Sequence, residues 1–504
     1  MLSIIKSMAL QGLDGYLIDV QVDISNGMPY WEVVGLPDAC IKESKERVRI
    51  AIQNSGFSIF SKRIIVNLAP AMKRKEGSLL DLPIAIGILY SLGLIVNQNF
   101  DDTIFIGELS LNGTINKING VLPICIEAAK LGIKRVIVPV QNYREASIVE
   151  NLEIIAEDNL KNLVSYLNGQ KPKNVIEINN SIEELDSILD FSEVKGQKNV
   201  KRAIEVAASG AHNILLTGIP GSGKTMMAQR IPTILPKLTV NEALEVTKIH
   251  SVAGLLSDNL HILTKRPFRS PHYSISTSSL IGGGKIPKPG EISLSHNGVL
   301  YLDELTEFKQ STLEALRSPI EDGKVTISRV NATLTYPSDF MLVASMNPCP
   351  CGYFGSSIKC TCTEKERNKY LSKISGPLLD RIDIKVEVNP VKFNSLRENS
   401  AQESSEKIRE RVKIARQIQY ERYKNLGINT NSQLKGKLVD EFCQIDTESE
   451  EILKKMFTKL NLSARGYTRI LKVARTIADM DESKNIKSKH LLEAIQYRNL
   501  SIKK

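Results

Sequence analysis

The stretch Asn213-Ile-Leu-Leu-Thr-Gly-Ile-Pro-Gly-Ser-Gly-Lys-Thr225 decides the fold of this 504-residue chain. Its first five residues form a short, mostly apolar run that leads straight into glycines, which predicts a buried strand ending in a loop. The spacing G-x-x-x-x-G-K-T between a strand and a helix is typical of loops whose backbone N–H groups face phosphates. We therefore predict a nucleotide site with these contacts: Gly218, Ile219, Pro220, Gly221, Ser222, Gly223, Lys224 and Thr225.

Two side chains of this loop have distinct predicted roles. Lys224 is expected to reach the β and γ phosphates of ATP. The hydroxyl of Thr225 is expected to bind Mg²⁺. The loop therefore predicts ATP and Mg²⁺ as cofactors.

A second apolar run, Gly298-Val-Leu-Tyr-Leu302, leads directly into Asp303 and Glu304. Parallel α/β sheets bind ligands at the carboxyl ends of their strands, so we expect both acids beside the phosphate loop. Asp303 is predicted to hold Mg²⁺ through water. Glu304 is predicted to orient and activate the water that attacks ATP.

Two further polar residues are associated with predicted strands. The third strand, Phe340 to Ser345, is followed by Asn347, whose amide is placed to position the attacking water or to contact the γ-phosphate. Arg381 precedes the fourth strand, Ile382 to Val388, and a cation there meets the charge of the phosphoryl-transfer transition state. A turn role for Asn347 and a structural salt bridge for Arg381 are the alternatives.

The hydrophobic pattern divides the chain into four segments. Residues 1–170 alternate strand-like and helix-like patterns and predict an α+β domain, and the polar residues 171–189 predict a linker. Residues 190–390 contain apolar strands separated by helices, which predicts an α/β domain with a parallel sheet covered on both faces. Residues 391–504 are free of Pro and have helical spacing, which predicts a helical domain.

Composition and charge limit the possible classes of function. The chain is 42% hydrophobic and 24% charged, and no apolar run approaches the roughly 20 residues of a membrane span. Residues 1–12 do not resemble a secretory signal, so we expect a cytoplasmic location without membrane contact. The net charge is +10, and residues 391–504 carry 24 Lys and Arg against 15 Asp and Glu. Such a surface attracts nucleic acid, but it is also typical of a solvated helical face.

Four of the seven cysteines form a cluster in sequence: Cys349, Cys351, Cys360 and Cys362. Four thiolates satisfy a tetrahedral Zn²⁺ site, although the C-x-C spacing is tighter than the usual two-residue gap. A structural Zn²⁺ ion and free thiols are both open interpretations. The position directly after Asn347 suggests that the cluster braces that loop, and direct catalysis by these cysteines is not expected.

The order of phosphate loop, Leu-Asp-Glu strand end, strand-terminal Asn and Gly-Pro-Leu-Leu-Asp-Arg resembles AAA+ ATPases of the magnesium-chelatase and MCM-helicase branch. More narrowly, the chain is similar over essentially its whole length to the YifB/ComM family of Mg-chelatase-like proteins. The resemblance implies a homohexamer that hydrolyses ATP. It is carried by these motifs: Arg266-Pro-Phe-Arg-Ser-Pro-His272, Gly282-Gly-Gly284, Pro289-Gly-Glu-Ile-Ser-Leu-Ser-His-Asn-Gly298 and Asn347-Pro-Cys-Pro-Cys-Gly352.

The same resemblance implies roles for individual residues. Asn347 would be sensor 1, and Arg381 would be the arginine finger that acts on the site of a neighbouring subunit. Arg465 would be sensor 2 and contact the γ-phosphate from the helical lid. Arg469 and Arg475 lie on the same predicted helix and are the alternatives for that last role.

The resemblance also covers a pore segment and the N-terminal domain. Residues 255–296 would form hairpins that project into the hexamer pore, where Lys285 and Lys288 either face the substrate or are solvated loop charges. Residues 1–170 are similar to the Lon protease catalytic domain. A Ser–Lys dyad needs a hydroxyl and an amine, and Leu79 and Leu122 at the two aligned positions supply neither. A non-proteolytic domain is therefore expected, with Ser78 beside the first of these positions.

Two classes of client remain open for the predicted motor. The resemblance implies a DNA helicase or branch-migration factor that acts in recombination of incoming DNA, and the basic C-terminal segment agrees with it. The alternative is a protein-remodelling or metal-chelatase-type ATPase, which the chelatase kinship and the Lon-like domain allow. A slow nucleotide switch is less favoured, because a switch does not need an activating acid such as Glu304.

Overall fold

The computed structural model describes residues 2–59, 62–96, 99–171, 189–258, 261–284, 287–329, 332–390, 402–459 and 462–498. The chain forms two compact units. The first comprises Met1–Glu183 with Ala243–Leu263, and the second comprises Glu184–Glu242 with Thr264–Lys504. Within the ranges given above, no helix combines the length and apolar character that a bilayer span needs.

The first unit is built on a mixed seven-stranded sheet. Side chains of Asp14–Ser25 alternate between the two faces, so Ile18, Val20 and Val22 are all buried on one side. The helix Asp81–Ser91 packs into the same core. The spatial order of the strands is Tyr30–Val34, Arg63–Ala69, Asp14–Ser25, Leu2–Gln11, Thr103–Phe105, Arg135–Pro139 and Glu153–Glu157.

Helices and a small hairpin complete this unit. Leu122, one of the two leucines at the Lon-like positions, is fully buried, and its backbone N–H donates to Glu145 Oε1 at 2.9 Å. The hydroxyl of Ser78 donates to the carboxylate of Glu108. The elements are the helices Ala39–Asn54, Val121–Lys130, Tyr143–Ala146 and Leu160–Leu167, the 3₁₀ turn Val140–Asn142, and the paired strands Glu108–Leu109 and Ile115–Asn116.

An excursion, residues 243–263, leaves the second unit and belongs to the first. Most of it is the end of the helix Val240–Ala253. In the first unit, the Ser251 carbonyl accepts from Gly120 N–H at 3.2 Å, and His261 Nδ1 lies 2.8 Å from the Arg144 carbonyl oxygen. No linker-like composition marks this excursion in the sequence.

The two ends of the excursion are held together in the second unit by one arginine. The guanidinium of Arg266 contacts Glu242 at 3.0 Å and also donates to the carbonyls of Pro236 and Asn297, both at 2.8 Å. Both partners of this ion pair are largely buried. Arg266, which belongs to one of the motifs that carry the resemblance, therefore has a structural role where the chain leaves and re-enters the second unit.

The second unit contains the predicted parallel sheet. Its ladders are all parallel, and the four predicted strands are confirmed. Ile214–Gly218, Val299–Leu302 and Met341–Met346 are buried throughout, which explains why they read as apolar runs. Ile384–Val388 instead alternates buried apolar residues with the more exposed Lys385 and Glu387. Their spatial order is Phe268–Arg269, Val299–Leu302, Met341–Met346, Ile214–Gly218 and Ile384–Val388.

The helices of this unit include a C-terminal helical region, as predicted. Ile470, Ala474 and Ile477 share one hydrophobic core with the sheet strands, so the C-terminal helices and the sheet form one compact unit. The helices are Lys198–Gly210, Lys224–Ile234, Thr277–Ile281, Glu291–Leu294, Gln310–Glu314, Arg317–Asp322, Glu364–Leu371, Gly376–Asp380, Ser405–Tyr423, Lys437–Phe442, Thr447–Lys459, Ala464–Met480 and Ser488–Gln496, with 3₁₀ turns at Phe191–Glu193, Leu305–Glu307 and Asn431–Gln433.

Two antiparallel hairpins lie outside the main sheet. Gly282–Gly283 pairs with Lys288–Pro289 inside the predicted pore segment, and Lys288 is exposed. Lys285 lies outside the described residues, as do most of the predicted linker and the start of the predicted helical domain. A second hairpin, Lys324–Arg329 with Ala332–Pro337, was not predicted.

A buried polar network joins the C-terminal helices to the strand that leads into the phosphate loop. Asp383 forms an ion pair with Arg469, lies 3.4 Å from His212 Nδ1, and accepts from the N–H of Asn213 at 3.2 Å. His212 continues the network to Thr476 at 2.7 Å. Burial acts to raise the pKa of Asp383, but the charge of Arg469 and the contact with His212 outweigh it and hold the pKa well below its usual range.

We expect Asp383→Asn to lower the free energy of unfolding by about 3 kcal/mol at pH 7, because it leaves the largely buried Arg469 without its counterion. The folded-state pKa of Asp383 is depressed, so its contribution is complete above the unfolded pKa of about 4 and is lost as the pH falls below it. Urea unfolding at pH 7 and at lower pH measures both effects. Glu410→Gln, in an exposed pair with Lys413, is the control and should change stability by less than about 0.5 kcal/mol. A difference between Asp383→Asn and wild type that stays constant below pH 4 would contradict the assignment.

Candidate nucleotide site

The phosphate loop connects the strand Ile214–Gly218 to the helix Lys224–Ile234. Gly218 needs to be glycine because a Cβ there would lie 2.4 Å from the Val388 carbonyl oxygen. Gly223 precedes the helix with φ of 91°, and no side chain caps the helix N-terminus. The hydroxyl of Ser222 is buried and has no hydrogen-bond partner among the described residues. Uncapped N–H groups and a spare buried hydroxyl fit the phosphates of a nucleotide.

Lys224 lies against the loop and the predicted sensor. Its ammonium donates to the carbonyls of Gly218 and Ile219 at 2.7 and 2.9 Å and to Asn347 Oδ1 at 3.1 Å. Burial lowers the pKa of Lys224, and the negative charges of Asp303 and Glu304 act against that shift. A cation is therefore held where the sequence predicts the β and γ phosphates.

Asp303 and Thr225 meet at the ends of different elements. The Thr225 hydroxyl donates to Asp303 Oδ2 at 2.9 Å. Burial acts to raise the pKa of Asp303, but hydrogen bonds from Ser345, Thr225 and Tyr301 outweigh it and hold the pKa below its usual range. An ionised carboxylate beside a hydroxyl offers the oxygen ligands that Mg²⁺ prefers.

Ser345 is a site residue that the sequence analysis missed. Its hydroxyl donates to Asp303 Oδ1 and accepts from Tyr301 OH at 3.2 Å and from the N–H of Glu304 at 3.3 Å. Strand register aligns Leu302 with Ala344, which places Ser345 opposite Asp303. The available signal was a hydroxyl side chain near the end of an otherwise apolar strand.

Glu304 has a backbone conformation that is rare for a residue with a side chain. Its φ and ψ are 52° and 51°, in the left-handed region, and the residue is exposed. Such a conformation costs on the order of 1–3 kcal/mol and is common at functional sites. It turns the chain directly after Asp303, so the two carboxylates have different surroundings.

Asn347 lies beside the phosphate loop because of the strand order. The strand Met341–Met346 pairs with Ile214–Gly218 on one side and with Val299–Leu302 on the other. The carboxyl ends of these three strands therefore meet, and they bring Lys224, Asn347 and Asp303 together.

The two arginines with implied catalytic roles meet at a different place. Arg381 is 4% exposed, donates to the Pro377 carbonyl at 2.8 Å and pairs with Glu321 at 2.7 Å. Arg465 is 59% exposed in its side chain and lies 3.9 Å from the same Glu321 carboxylate. Glu321, which the sequence analysis did not select, therefore contacts both arginines.

The alternatives to Arg465 on the helix Ala464–Met480 have structural partners. Arg469 pairs with Asp383, and Arg475 pairs with Asp479 and donates to two carbonyls. Of these three arginines, Arg465 is the one whose side chain is exposed.

Much of the positive charge in the C-terminal segment also has structural partners. Burial lowers the pKa of Arg416 to about 9, and this side chain donates to the Ala208 carbonyl at 2.7 and 2.9 Å. Several arginines of this segment form ion pairs: Arg411, Arg422, Arg465, Arg469, Arg475 and Arg498. The argument for nucleic acid from net charge therefore rests mainly on the lysines.

The four clustered cysteines converge in space. Their sulfur atoms all lie within 4.8 Å of one another, in the loop that follows Asn347. Cys349 is buried and the other three are partly exposed.

Family models match three parts of the chain. Magnesium chelatase subunit ChlI matches residues 190–396, and its C-terminal model matches residues 402–498. A further model of the ChlI subunit of Mg-chelatase matches residues 20–142.

Full-length relatives are also known. The chain is 42% identical over 504 residues to the competence protein ComM of Haemophilus influenzae, covering 99% of this chain and 97% of that protein. It is 41% identical over 502 residues to the protein YifB of Escherichia coli, with the same coverage. The 38 kDa magnesium-chelatase subunit of Rhodobacter capsulatus is 25% identical over 178 residues, which are 32% of this chain and 51% of that subunit. The chain belongs to the ComM/YifB family of magnesium-chelatase-like AAA+ proteins.

Proposed function

We propose that this protein is a Mg²⁺-dependent ATPase that works as a homohexameric motor on DNA, in the recombination of incoming DNA. One observation carries the ATPase part. Thr225 and Asp303 form a hydrogen bond of 2.9 Å at the same sheet edge where Lys224 contacts Asn347. The phosphate loop, the pair predicted to bind Mg²⁺ and the predicted sensor thus lie close together, which supports this part of the proposal.

Each residue of this site has its own role in phosphoryl transfer. Lys224 exchanges its contacts with loop carbonyls for the phosphates, and Thr225 and Asp303 hold Mg²⁺, which neutralises phosphate charge when it is bound. Glu304 accepts a proton from the attacking water, and Asn347 orients that water or the γ-phosphate. Ser345 keeps Asp303 and the backbone of Glu304 in position through its three hydrogen bonds.

The hexamer part of the proposal concerns the arginines. Arg381 is proposed to act on the site of a neighbouring subunit, and Arg465 to contact the γ-phosphate from the helical lid. Both arginines contact Glu321 in the single chain, so their engagement with phosphate requires that these contacts are exchanged. A bound anion can replace Glu321 because it offers more negative charge than one carboxylate.

Two findings support DNA as the client. One full-length relative is a competence protein, and competence is the uptake of DNA. In addition, residues 391–504 carry a surplus of positive charge. A motor on DNA is expected to bind it through phosphate contacts, so the affinity falls with salt.

We expect DNA to stimulate ATP hydrolysis by the wild-type chain several-fold, because engagement of the client orders a ring-shaped motor for turnover. The measurement compares single-stranded, duplex and four-way-junction DNA, with Glu304→Gln as the control that binds DNA without hydrolysis. Hydrolysis that no DNA changes, together with no salt-dependent DNA binding, would exclude the DNA client.

A second candidate function is protein remodelling or metal insertion. The matches to magnesium-chelatase subunits over three parts of the chain favour it. Stimulation of ATP hydrolysis by an unfolded protein, with no response to DNA, would support protein remodelling.

A further inference from the structure

The sulfur atoms of the four clustered cysteines have the separation of ligands on one metal ion. Cys349 Sγ lies 3.4 Å from Cys351 Sγ and 3.7 Å from Cys360 Sγ, and the last two are 3.5 Å apart. Tetrahedral Zn²⁺ with Zn–S bonds of about 2.3 Å places its sulfurs about 3.8 Å apart. A disulfide would need about 2.05 Å, and all four are free thiols. The geometry therefore fits a single ion bound by four thiolates.

Backbone N–H groups point at two of these sulfurs. Cys351 N–H donates to Cys362 Sγ and Phe354 N–H donates to Cys349 Sγ, both at 3.3 Å. Such donors stabilise negative charge on sulfur and are typical outer-shell contacts of metal-bound thiolates. Four thiolates at this distance repel one another unless a cation lies between them. An iron–sulfur cluster is disfavoured, because its cysteines bind different iron atoms and lie farther apart.

The cysteine loop, residues 347–363, touches the nucleotide site at two places. At its start, Asn347 accepts the hydrogen bond from Lys224 at 3.1 Å. Farther along, Gly352 packs so closely on the phosphate loop that a Cβ there would lie 2.7 Å from Pro220 Cγ and Cδ. Cys349 and Cys351 lie between these two contacts, so the cluster includes part of the segment that connects them.

The far end of the cysteine loop is also anchored. Thr363 directly follows Cys362 and forms a capping box with Glu366 at the start of the helix Glu364–Leu371. The guanidinium of Arg367 lies 4.0 Å from the centre of the Phe354 ring. The loop itself contains few large apolar residues, so these contacts alone supply little of the burial that would hold its middle in place.

We propose that Cys349, Cys351, Cys360 and Cys362 bind one Zn²⁺ ion, and that this ion holds the cysteine loop against the phosphate loop so that tight ATP binding requires the metal. The part concerning ATP rests on the proposed function, and the metal site does not. The ion has no part in hydrolysis. It replaces the hydrophobic packing that this loop lacks and, through the chain between Asn347 and Gly352, positions both residues against the phosphate loop.

The first test is the metal content of the purified full chain, measured by mass spectrometry after expression with added zinc. About one zinc per chain is expected for four thiolate ligands, and its loss is expected in Cys360→Ser/Cys362→Ser. Cys40→Ser, at a cysteine outside the cluster, is the matched control and keeps the zinc. A wild-type chain without zinc, or with iron in its place, would overturn the proposal.

The second test measures affinity for a fluorescent ATP analogue. Removal of zinc from the wild-type chain with a chelator is expected to weaken binding about tenfold, and added zinc is expected to restore it. This reversible test does not depend on whether the double variant folds. Unchanged affinity in the zinc-free chain would overturn the coupling. A chain that holds zinc but binds no analogue would support the metal site and overturn the proposed ATPase function.

A third variant separates zinc binding from contact with the phosphate loop. Gly352→Ala is expected to keep the zinc and to weaken analogue binding, because the new Cβ displaces Pro220. Gly355→Ala is a close control in the same loop. Its φ of 81° matches the 85° of Gly352, but nothing lies within 4 Å of its Cβ position. Equal effects of the two substitutions would contradict a specific contact with Pro220.

Discussion

Glu304→Gln is expected to slow ATP hydrolysis by about 10²–10³-fold while the affinity for ATP is unchanged. The amide keeps the size of the side chain but cannot accept a proton from water. Glu304 lies at the strand end beside Asp303, whose hydrogen bonds to Thr225 and Ser345 do not involve the Glu304 side chain. The substitution therefore removes water activation and leaves the predicted phosphate and metal contacts in place.

The measurement is single-turnover hydrolysis together with equilibrium binding of ATP. Glu307→Gln is the matched control, because Glu307 ends the 3₁₀ turn that directly follows Glu304, and its carboxylate has long contacts with Lys373 at 3.6 Å and with Thr306 Oγ1 at 3.5 Å. It should hydrolyse ATP at close to the wild-type rate. Equal rates in Glu304→Gln and wild type would show that another group activates the water.

Arg381→Ala is expected to reduce hydrolysis by about 10³-fold, the loss that follows removal of an arginine finger. The structure allows a second reason for such a loss. Arg381 is nearly buried and pairs with Glu321, so its removal also leaves that carboxylate with only its long contact to Arg465 at 3.9 Å. The rate of the single variant therefore does not separate a catalytic role from a structural one.

Mixing Arg381→Ala with Glu304→Gln subunits separates the two roles. In a ring where each site combines Glu304 of one subunit with Arg381 of the next, random mixing makes about a quarter of the sites intact. We expect hydrolysis to recover toward that fraction, although each variant alone is nearly inactive. Arg465→Ala, at an exposed position near the same Glu321, provides the comparison for a role within one subunit.

One outcome of the mixing experiment would contradict a role of Arg381 at the neighbouring site. Activity that remains at the level of the separate variants, in rings shown by light scattering to contain both subunits, would mean that Arg381 does not act across an interface. Its contact with Glu321 would then be its main role.

Three central strands, Ile214–Gly218, Val299–Leu302 and Met341–Met346, could be predicted because each is buried on both faces and reads as an apolar run between turn signals. The fourth, Ile384–Val388, lies at the edge of the sheet and alternates apolar with charged residues. Ile214–Gly218, Val299–Leu302, Met341–Met346 and Ile384–Val388 all lie close to their predicted positions. The edge strand Phe268–Arg269 has only two residues, which is too short for any periodicity. The pair of strands Lys324–Arg329 and Ala332–Pro337 was missed although these strands are longer.

The candidate site could be predicted to the extent that it depends on local sequence. Lys224 and Thr225 follow from the spacing of one loop, and Asp303 and Glu304 from the end of one strand. Ser345 and Glu321 were missed, because each acquires its role only from side chains that are far away in the sequence. Arg469 and Arg475 could not be separated from Arg465 by spacing, since only their buried partners Asp383 and Asp479 distinguish them.

The sequence by itself therefore determined the strand–loop–helix unit at residues 213–225, the order of the polar strand ends and the cysteine pattern. These are local properties, because backbone conformation and hydrophobic period depend on neighbouring residues. Only the tertiary structure decided the strand order that places Met341–Met346 between the two other functional strands. It also decided the membership of residues 243–263 in the first unit and the approach of Gly352 to Pro220. These features depend on packing between distant segments, and no short-range pattern in the chain encodes which segments will meet.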